Sequence, residues 1–308
     1  MAGLIRLGVG LPTAGAWATP DALATVARRA EELGYASAWT FQRLFYPLAP
    51  RNEYYGSPGP WPEAFRSALD PVVALTWAAA HTRTIRLGVS VLIMPFYQPL
   101  VLAQQLATLD VMAAGRLDVG VGIGWSLDEF EAAGVPADRR GARADEFLRV
   151  LNAAWADDPV EFAGEFYRIP RSSVRPKPVQ RPRPRLLVGG YSEPVLRRAA
   201  TLADGYTGGN IPLADLASVV ARVKNAARAA GRDPERFPIV CRGSFRLTAE
   251  PLGAGRRALS GSEAEIRDDI RRYGDAGVTE LFLEPNFQPG GAELTSVLRQ
   301  FEVLAPKA

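Results

Sequence analysis

The sequence predicts an α/β fold of the (β/α)8 TIM-barrel type, and three observations carry that expectation. Eight strand-like runs alternate with eight amphipathic segments along the chain. Its 308 residues exceed the roughly 250 that a closed parallel barrel needs, leaving room for insertions. Hydrophobic residues make up 47% of the chain, enough to fill one large core and too many for a disordered one.

The first run, Arg6–Pro12, is apolar and short, and Thr19-Pro20 then marks a helix start, because Thr caps free amides and Pro in the first turn costs no hydrogen bond. Asp21–Leu33 follows with its apolar residues on one helical face. Ala36–Phe41 is the second strand, and the helical segment Pro71–His81 again opens on a proline. Arg86–Leu92, rich in Val and Leu, precedes the helical Pro99–Ala113. Leu117–Ile123 with Ala142–Trp155, Arg185–Gly190 with Glu193–Leu202, and Gly205–Gly208 with Leu213–Ala230 form the next three pairs. Ile239–Leu247 with Ser262–Asp275 and Thr279–Glu284 with Ala292–Leu304 complete the eight units. Residues 1–308 are expected to form one domain with insertions near 42–69, rich in Pro, Tyr and Trp, and near 157–184, which begins with the hairpin-like VEFAGEFYRI.

A doubly wound sheet is the rival, with GVGIG as a degraded dinucleotide fingerprint. That fingerprint belongs in the first strand-turn-helix and is followed about 20 residues later by an acid ending the next strand. Here the glycines lie in the fourth unit and the next strand is far away, so the barrel is preferred. No internal repeat beyond the β/α alternation is visible.

Composition excludes several function classes. Lys and Arg exceed Asp and Glu by 36 to 33, too small an excess to argue for nucleic acid. The basic run Arg171–Arg185 holds four prolines, so it reads as an extended connector, or else as an aid in holding an anion. The single cysteine, Cys241, sits in an apolar strand and cannot form an internal disulfide. The single histidine, His81, ends a helix, which leaves no histidine triad and no multi-histidine metal site; no metal is expected. No apolar run is long enough to span a bilayer and no export signal is visible, so the expectation is a cytoplasmic protein without membrane contact.

The most informative stretch is TLDVMAAGRLDVGVGIGWSLDEFEAAGV, Thr108 to Val135. Gly120, Gly122 and Gly124 alternate along and beyond a strand, leaving one backbone face bare for a flat ligand or for another part of the chain. In a parallel barrel the working face is the carboxyl end of the strands. The residues there are Gln42 and Arg43, Leu92 to Tyr97, Gly124 to Asp128, Gly189 to Ser192, Asn210, and Glu284 to Phe287. They are mostly glycine, aromatic and neutral polar groups, which suits a broad planar ligand. Gly189-Gly190-Tyr191-Ser192 runs straight into a helix whose free amides form a phosphate site; Ser192 serves either that site or simply as the helix cap.

The segments GYASAWTFQRLFYP, TIRLGVSVLIMPFYQPLVLAQQLATLDVMAAGRLDVGVGIGWSLDEFEAAGVPADRRGARADE and RLLVGGYSEPVLRRAATLADGY, in this order, resemble the bacterial luciferase-like flavin and deazaflavin oxidoreductases. The resemblance is nearest to the actinobacterial branch assigned to coenzyme F420, and it implies a bacterial luciferase-like barrel with the cofactor ring across its mouth. It further implies a cis peptide at Ser90-Val91 backing the ring. Phe41, Leu92, Gly124, Trp125, Asp128 and Asn210 are expected to border the cofactor, and Gly189, Gly190, Tyr191 and Ser192 to grip its phosphate. There are departures. Gln42-Arg43 replaces the acid and His that many members carry after strand two, and Trp125 stands where sugar-phosphate dehydrogenases carry a catalytic Glu. An Arg is no base near neutral pH, so sugar-phosphate oxidation is not expected.

The expected reaction is hydride transfer between F420 and a small organic substrate, with Gln42 at the ring edge and Arg43 facing the substrate as the catalytic pair. Trp61, Phe96, Tyr97 and Glu284 are expected to line the substrate side. The alternative is an FMN-dependent monooxygenase fed by a separate flavin reductase, and a second alternative is a flavin-binding protein without turnover. A homodimer is expected from the resemblance.

Overall fold

The computed structural model describes residues 5–54 and 59–307; residues 55–58 of the first insertion lie outside them. Eight parallel strands close into a barrel: β1 Arg6–Gly10, β2 Ser37–Thr40, β3 Arg86–Ile93, β4 Leu117–Gly122, β5 Arg185–Gly189, β6 Gly205–Gly209, β7 Ile239–Ser244 and β8 Glu280–Glu284. Each pairs with its neighbours in sequence, and β1 closes the ring against β8. The outer layer is α1 Pro20–Glu32, α2 Pro71–His81, α3 Pro99–Met112, the short α4 Leu127–Ala132, α5 Arg140–Trp155, α6 Glu193–Leu202, α7 Leu213–Ala229, α8 Glu263–Asp275 and α9 Leu294–Leu304.

Local chemistry explains the ends of these elements. Thr19 caps α1 by accepting from the amide of Ala22, Asp70 caps α2 through Val72 and Val73, and Ser262 with Glu265 forms a reciprocal capping box on α8. Two elements differ from the sequence expectation. The run Ile239–Leu247 leaves the barrel after Ser244, because Phe245 turns outward to stack on Phe301 of α9 at 5.8 Å, and Arg246–Leu247 pairs instead with Ser260–Gly261. Helix α4, six residues long, is too short to show a period in the sequence. The second insertion holds the expected hairpin, Val160–Ala163 against Arg168–Ser172.

Inside the barrel, Trp39, Leu187, Val240 and Phe282 form a fully buried layer, with Trp39 and Phe282 stacked at 5.1 Å. Trp39 fits because its neighbour on β3 is Gly88, where a Cβ would lie 2.4 Å from the indole ring. Beneath this layer, at the amino ends of the strands, Asp118 and Glu280 are buried and neutralised by Arg6, Arg86 and Arg185 at 2.5–3.4 Å. Ser37 donates to Glu280 at 2.6 Å and Trp39 donates to Ser37 at 2.7 Å, so the ion cluster and the aromatic layer are one unit. The amino end of the barrel is therefore plugged and charged internally, which leaves the carboxyl end for ligands.

Replacing Trp39 with Ala removes the largest member of the layer, leaves a cavity and takes away the indole donor to Ser37 and Glu280. We expect a loss of about 3–5 kcal/mol of unfolding free energy, read from urea denaturation followed by circular dichroism.

Candidate active site

Strand β3 supplies the floor of the open end. Its pairing with β4 passes from Val89↔Val119 to Leu92↔Val121, so β3 carries one extra residue there, and the Ser90-Val91 peptide within this bulge is cis. The bulge turns Val91 into the barrel mouth. Cβ atoms on Gly122 and Gly189 would lie 2.8 and 2.9 Å from its methyls, and one on Gly120 would lie 2.3 Å from the carbonyl oxygen of Val89. The alternating glycines of β4 thus make room for the neighbouring strand, and the ligand-facing surface is the valine that fills the space they leave. Beside it, the Ser90 and Thr207 hydroxyls lie 3.0 Å apart.

Above this floor is a cavity of about 320 Å³ lined by Ser90, Val91, Ile93, Ile123, Gly124, Trp125, Gly189 to Ser192, Val195, Thr207 and Arg242 among others. Of the expected cofactor residues, Ser90, Val91, Gly124, Trp125, Gly189, Gly190, Tyr191 and Ser192 meet here. Gly124 and Gly190 have φ of +74° and +135°, conformations that bring their backbones to the rim. Ser192 stands at the N-cap of α6, its hydroxyl makes no capping hydrogen bond among the described residues, and it lines the cavity. Glu193 in the first turn would repel an anion, but Arg222 pairs with it at 2.6 Å. Tyr191 donates to the carbonyl of Gly209 at 2.6 Å and so ties the start of this loop to β6.

Other expected residues stand elsewhere. Leu92 is fully buried in the core, and Ile93 takes the place at the mouth expected of it, because the extra residue of the bulge exchanges inward and outward positions. Phe41 is buried in an aromatic group with Phe65 and Phe287. Asp128 accepts from the amide of Arg51 at 3.1 Å and holds the first insertion. Asn210, with φ +53°, accepts from the amide of Ser244 at 2.9 Å and lies beside the mouth, lining two neighbouring cavities.

The pair expected to be catalytic is structural in its contacts. Gln42 accepts from the amide of Ile93 at 2.7 Å and donates to the Tyr97 hydroxyl at 2.6 Å, so it fixes the segment after β3. Arg43 is buried and bonded to Glu129 at 2.8 Å, with its guanidinium 4.9 Å from the ring centres of Phe65 and Trp125 and 5.6 Å from that of Trp61. Glu129 also accepts from the amide of Leu44 at 2.8 Å. The pair therefore pins the first insertion to α4. Trp61 packs 4.6 Å from Trp125 within the same group, and Phe96 meets Phe130 edge-on at 5.5 Å.

Of the charged residues on β7 and β8, Arg242 lines the mouth, whereas Glu284, expected on the substrate side, is buried and lines none of the cavities around it. Arg242, which sequence reasoning missed, lines the mouth and lies 5.4 Å from the ring of Phe287; its only signal was an arginine inside the otherwise apolar IVCRGS. Glu284 is buried and accepts from the amide and side chain of Asn286 at 2.9 and 2.6 Å. Burial raises its carboxyl above the ordinary value, against the opposing pull of Arg242. Cys241 is wholly buried, with its thiol pushed up to about 12, so it offers no nucleophile. Among the described residues no cluster of three or more His, Cys, Asp and Glu is placed to hold a metal, and no helix is long and apolar enough to cross a membrane.

Comparison with known proteins matches residues 3–256 to the family model described as luciferase-like monooxygenase. An uncharacterized protein of Mycobacterium tuberculosis is 32% identical over 261 residues, covering 84% of this chain and 85% of its own. The crystal structure of the monooxygenase RslO1 from Streptomyces bottropensis superposes with a TM-score of 0.80 at 26% identity, covering 97% and 98% of the two chains. A coenzyme F420 dependent tetrahydromethanopterin reductase from Methanopyrus kandleri superposes with a TM-score of 0.76 at 18% identity, covering 97% of this chain and 98% of its own.

Two predictions follow from the geometry. Arg43→Ala leaves Glu129 buried without its partner, and we expect about 3–5 kcal/mol less stability in urea titration, together with faster proteolysis of the first insertion. For Glu284, the folded-state value lies above the ordinary 4.5, so the protonated carboxyl is the stabilising form. Its contribution is complete below 4.5 and is lost as pH rises through the raised value. Against Glu284→Gln, the native protein should lose relative stability as pH is raised above 4.5, measured as the difference between the two melting curves.

Proposed function

Because the chain belongs to the luciferase-like monooxygenase family, we propose that its open end binds a flavin-type ring over Val91 and carries out two-electron chemistry on a small organic molecule. The observation that carries this reading is the continuity of the site: an apolar floor of Val91 and Ile93 leads along Gly189 and Gly190 to the uncapped Ser192 at the start of α6. A flat ring fits the first part and a phosphate the second. When bound, a reduced deazaflavin or flavin supplies a hydride or electron pair from its central ring. Val91 and Ile93 support that ring from below, Ile123 and Trp125 border it, and Ser192 with the amides of α6 holds the phosphate. Arg242 places positive charge at the rim, where it favours negative charge on ring or substrate. Gln42 acts on the site through Tyr97 and the amide of Ile93.

We take coenzyme F420 as the cofactor. Past Tyr191 the mouth continues into a groove of about 460 Å³ bordered by Arg222 and Arg242, with Asp215 as its one carboxylate among the described residues. That groove offers length and positive charge to an anionic tail beyond the phosphate. In this reading the protein transfers hydride in the cytoplasm, as its sequence leads one to expect, and as a homodimer, as the resemblance implies.

A second reading, an FMN-dependent monooxygenase supplied by a separate flavin reductase, is favoured by the 26% identity to the Streptomyces monooxygenase along nearly the whole chain. It is favoured also by a 118-residue stretch, 37% of this chain and 32% of the relative, that is 41% identical to an FMNH(2)-dependent dimethylsulfone monooxygenase of Pseudomonas putida. Titration with F420 and with FMN, followed by tryptophan fluorescence, separates the two. We expect F420 to bind and Ser192→Ala to weaken it by roughly tenfold, the value of one charge-assisted hydrogen bond. Binding of FMN alone selects the second reading. Binding of neither removes both, and a bound reduced cofactor that no candidate substrate reoxidises leaves a binding protein without turnover.

A further inference from the structure

A second cavity beside the mouth, of about 690 Å³, lies between the ends of β7 and β8, the loop after β6, the 256–259 segment and the first insertion. It connects with the mouth through the 460 Å³ groove, which shares Tyr191, Gly209 and Arg242 with the mouth and Asn210, Ile211 and Pro212 with this cavity. Its walls combine apolar and aromatic surfaces, Tyr54, Leu259 and Phe287, with a small polar end.

That polar end has a distinct chemistry. Ser244 is 7% exposed, and its buried hydroxyl has no hydrogen-bond partner among the described residues, although the residue lines both this cavity and a smaller one next to it. A buried hydroxyl is ordinarily satisfied by protein or ligand. Arg257, an exposed residue at the rim of the same two cavities, makes no ion pair with a carboxylate among the described residues. The other cation, Arg256, is already taken: it pairs with Asp269 at 2.5 Å and with Glu265 at 3.4 Å. The Tyr273 hydroxyl is also occupied, donating to the carbonyl of Ile211 at 2.6 Å. No Asp or Glu lines the cavity among the described residues. One unneutralised cation and one hydroxyl donor, at the end of an aromatic chamber, match a carboxylate on an apolar body.

We propose that this cavity is the substrate compartment and that it selects organic acids, with Arg257 as the counter-ion, Ser244 as the donor and Tyr54 and Phe287 holding the apolar portion. The assignment as substrate compartment rests on the mouth being the cofactor site; the selection of an acid rests on this cavity alone. The acid carboxylate takes no part in the bond changes. It anchors the molecule while its remote carbon extends past Gly209 and Arg242 of the mouth, which adjoin Asn210 and Gly243 of this cavity.

The test is calorimetric titration of the full chain with 2-naphthoate and with its neutral counterpart 2-naphthamide, in the absence of cofactor. We expect the acid to bind at least tenfold more tightly than the amide. Arg257→Met should abolish that preference while leaving the amide unchanged, and Ser244→Ala should weaken the acid several-fold without lowering the melting temperature. Added salt should weaken the acid and spare the amide. Equal affinity for the two probes, absence of binding, or a preference that survives Arg257→Met overturns the proposal. If F420 or FMN binds while the acid preference is absent, only this inference falls. If neither cofactor binds while the preference is intact, the cofactor reading falls and what stands is an acid-binding pocket.

Discussion

The open end of this barrel is organised around one side chain. Val91 can enter the mouth because Gly120, Gly122 and Gly189, on the two strands that follow, carry nothing that would meet it. A methyl at Gly122 would sit 2.8 Å from a Val91 methyl, and one at Gly120 would strike the backbone of β3 itself. The consequence is a single allowed register between β3 and β4, with the extra residue of β3 held at one height. The floor of the mouth, its depth below the rim and the spacing to Ser192 all depend on that register.

The two ends of the barrel solve opposite problems. At the amino end, two buried carboxylates and three arginines must be neutralised internally, and the aromatic layer of Trp39 and Phe282 sits directly above them. Polar groups there are spent on each other, through Ser37 and Glu280. At the carboxyl end some residues that line the cavities have hydroxyls with no bond of this kind among the described residues, Ser192 at the helix start and Ser244 being the clearest. An unsatisfied buried donor lowers stability, and its natural use is to be satisfied by a ligand. The rigid lower half bears the stability that such a mouth gives up.

Much of this was legible in the sequence, and the reasons it stopped being legible are physical. Strands, helices and both insertions were readable because proline, capping residues and apolar periodicity act over a few residues. The glycines of β4 were readable as a place of close approach, but what approaches is a residue of β3, and no local signal in the sequence tells which of Ser90, Val91 or Leu92 that is. The bulge then exchanges the faces of the residues after it, so Leu92 went to the core and Ile93 to the mouth. A similar slip of one position separates Asp128, expected at the cofactor, from Glu129, which is buried against Arg43. On a helix of six residues no period exists to distinguish the two. The expectation for Arg43 rests on its place after strand two, and its partner Glu129, 86 residues away, is beyond the reach of pattern. Arg242 gave only the oddity of a charge in an apolar strand.

The two sides of the mouth differ in how they are built, and the proposed roles follow that difference. From β3 to β6 the surface is largely backbone, with Gly122, Gly124, Gly189, Gly190, Gly208 and Gly209 around Val91. Backbone surface is dictated by the fold and changes little when side chains change, which suits a cofactor of fixed shape. From β7 round to the first insertion the surface is made of side chains, Ser244, Arg257, Phe287 and Tyr54, carried on loops or strand ends. Those can be replaced without disturbing the glycine floor, which suits a substrate that varies between relatives. The Arg43–Glu129 pair joins the two sides, because it ties the insertion that carries Tyr54 to the helix that follows Trp125. A ring seated on the backbone side and an acid seated on the side-chain side would therefore be held relative to each other by one buried ion pair, and not by the loops themselves.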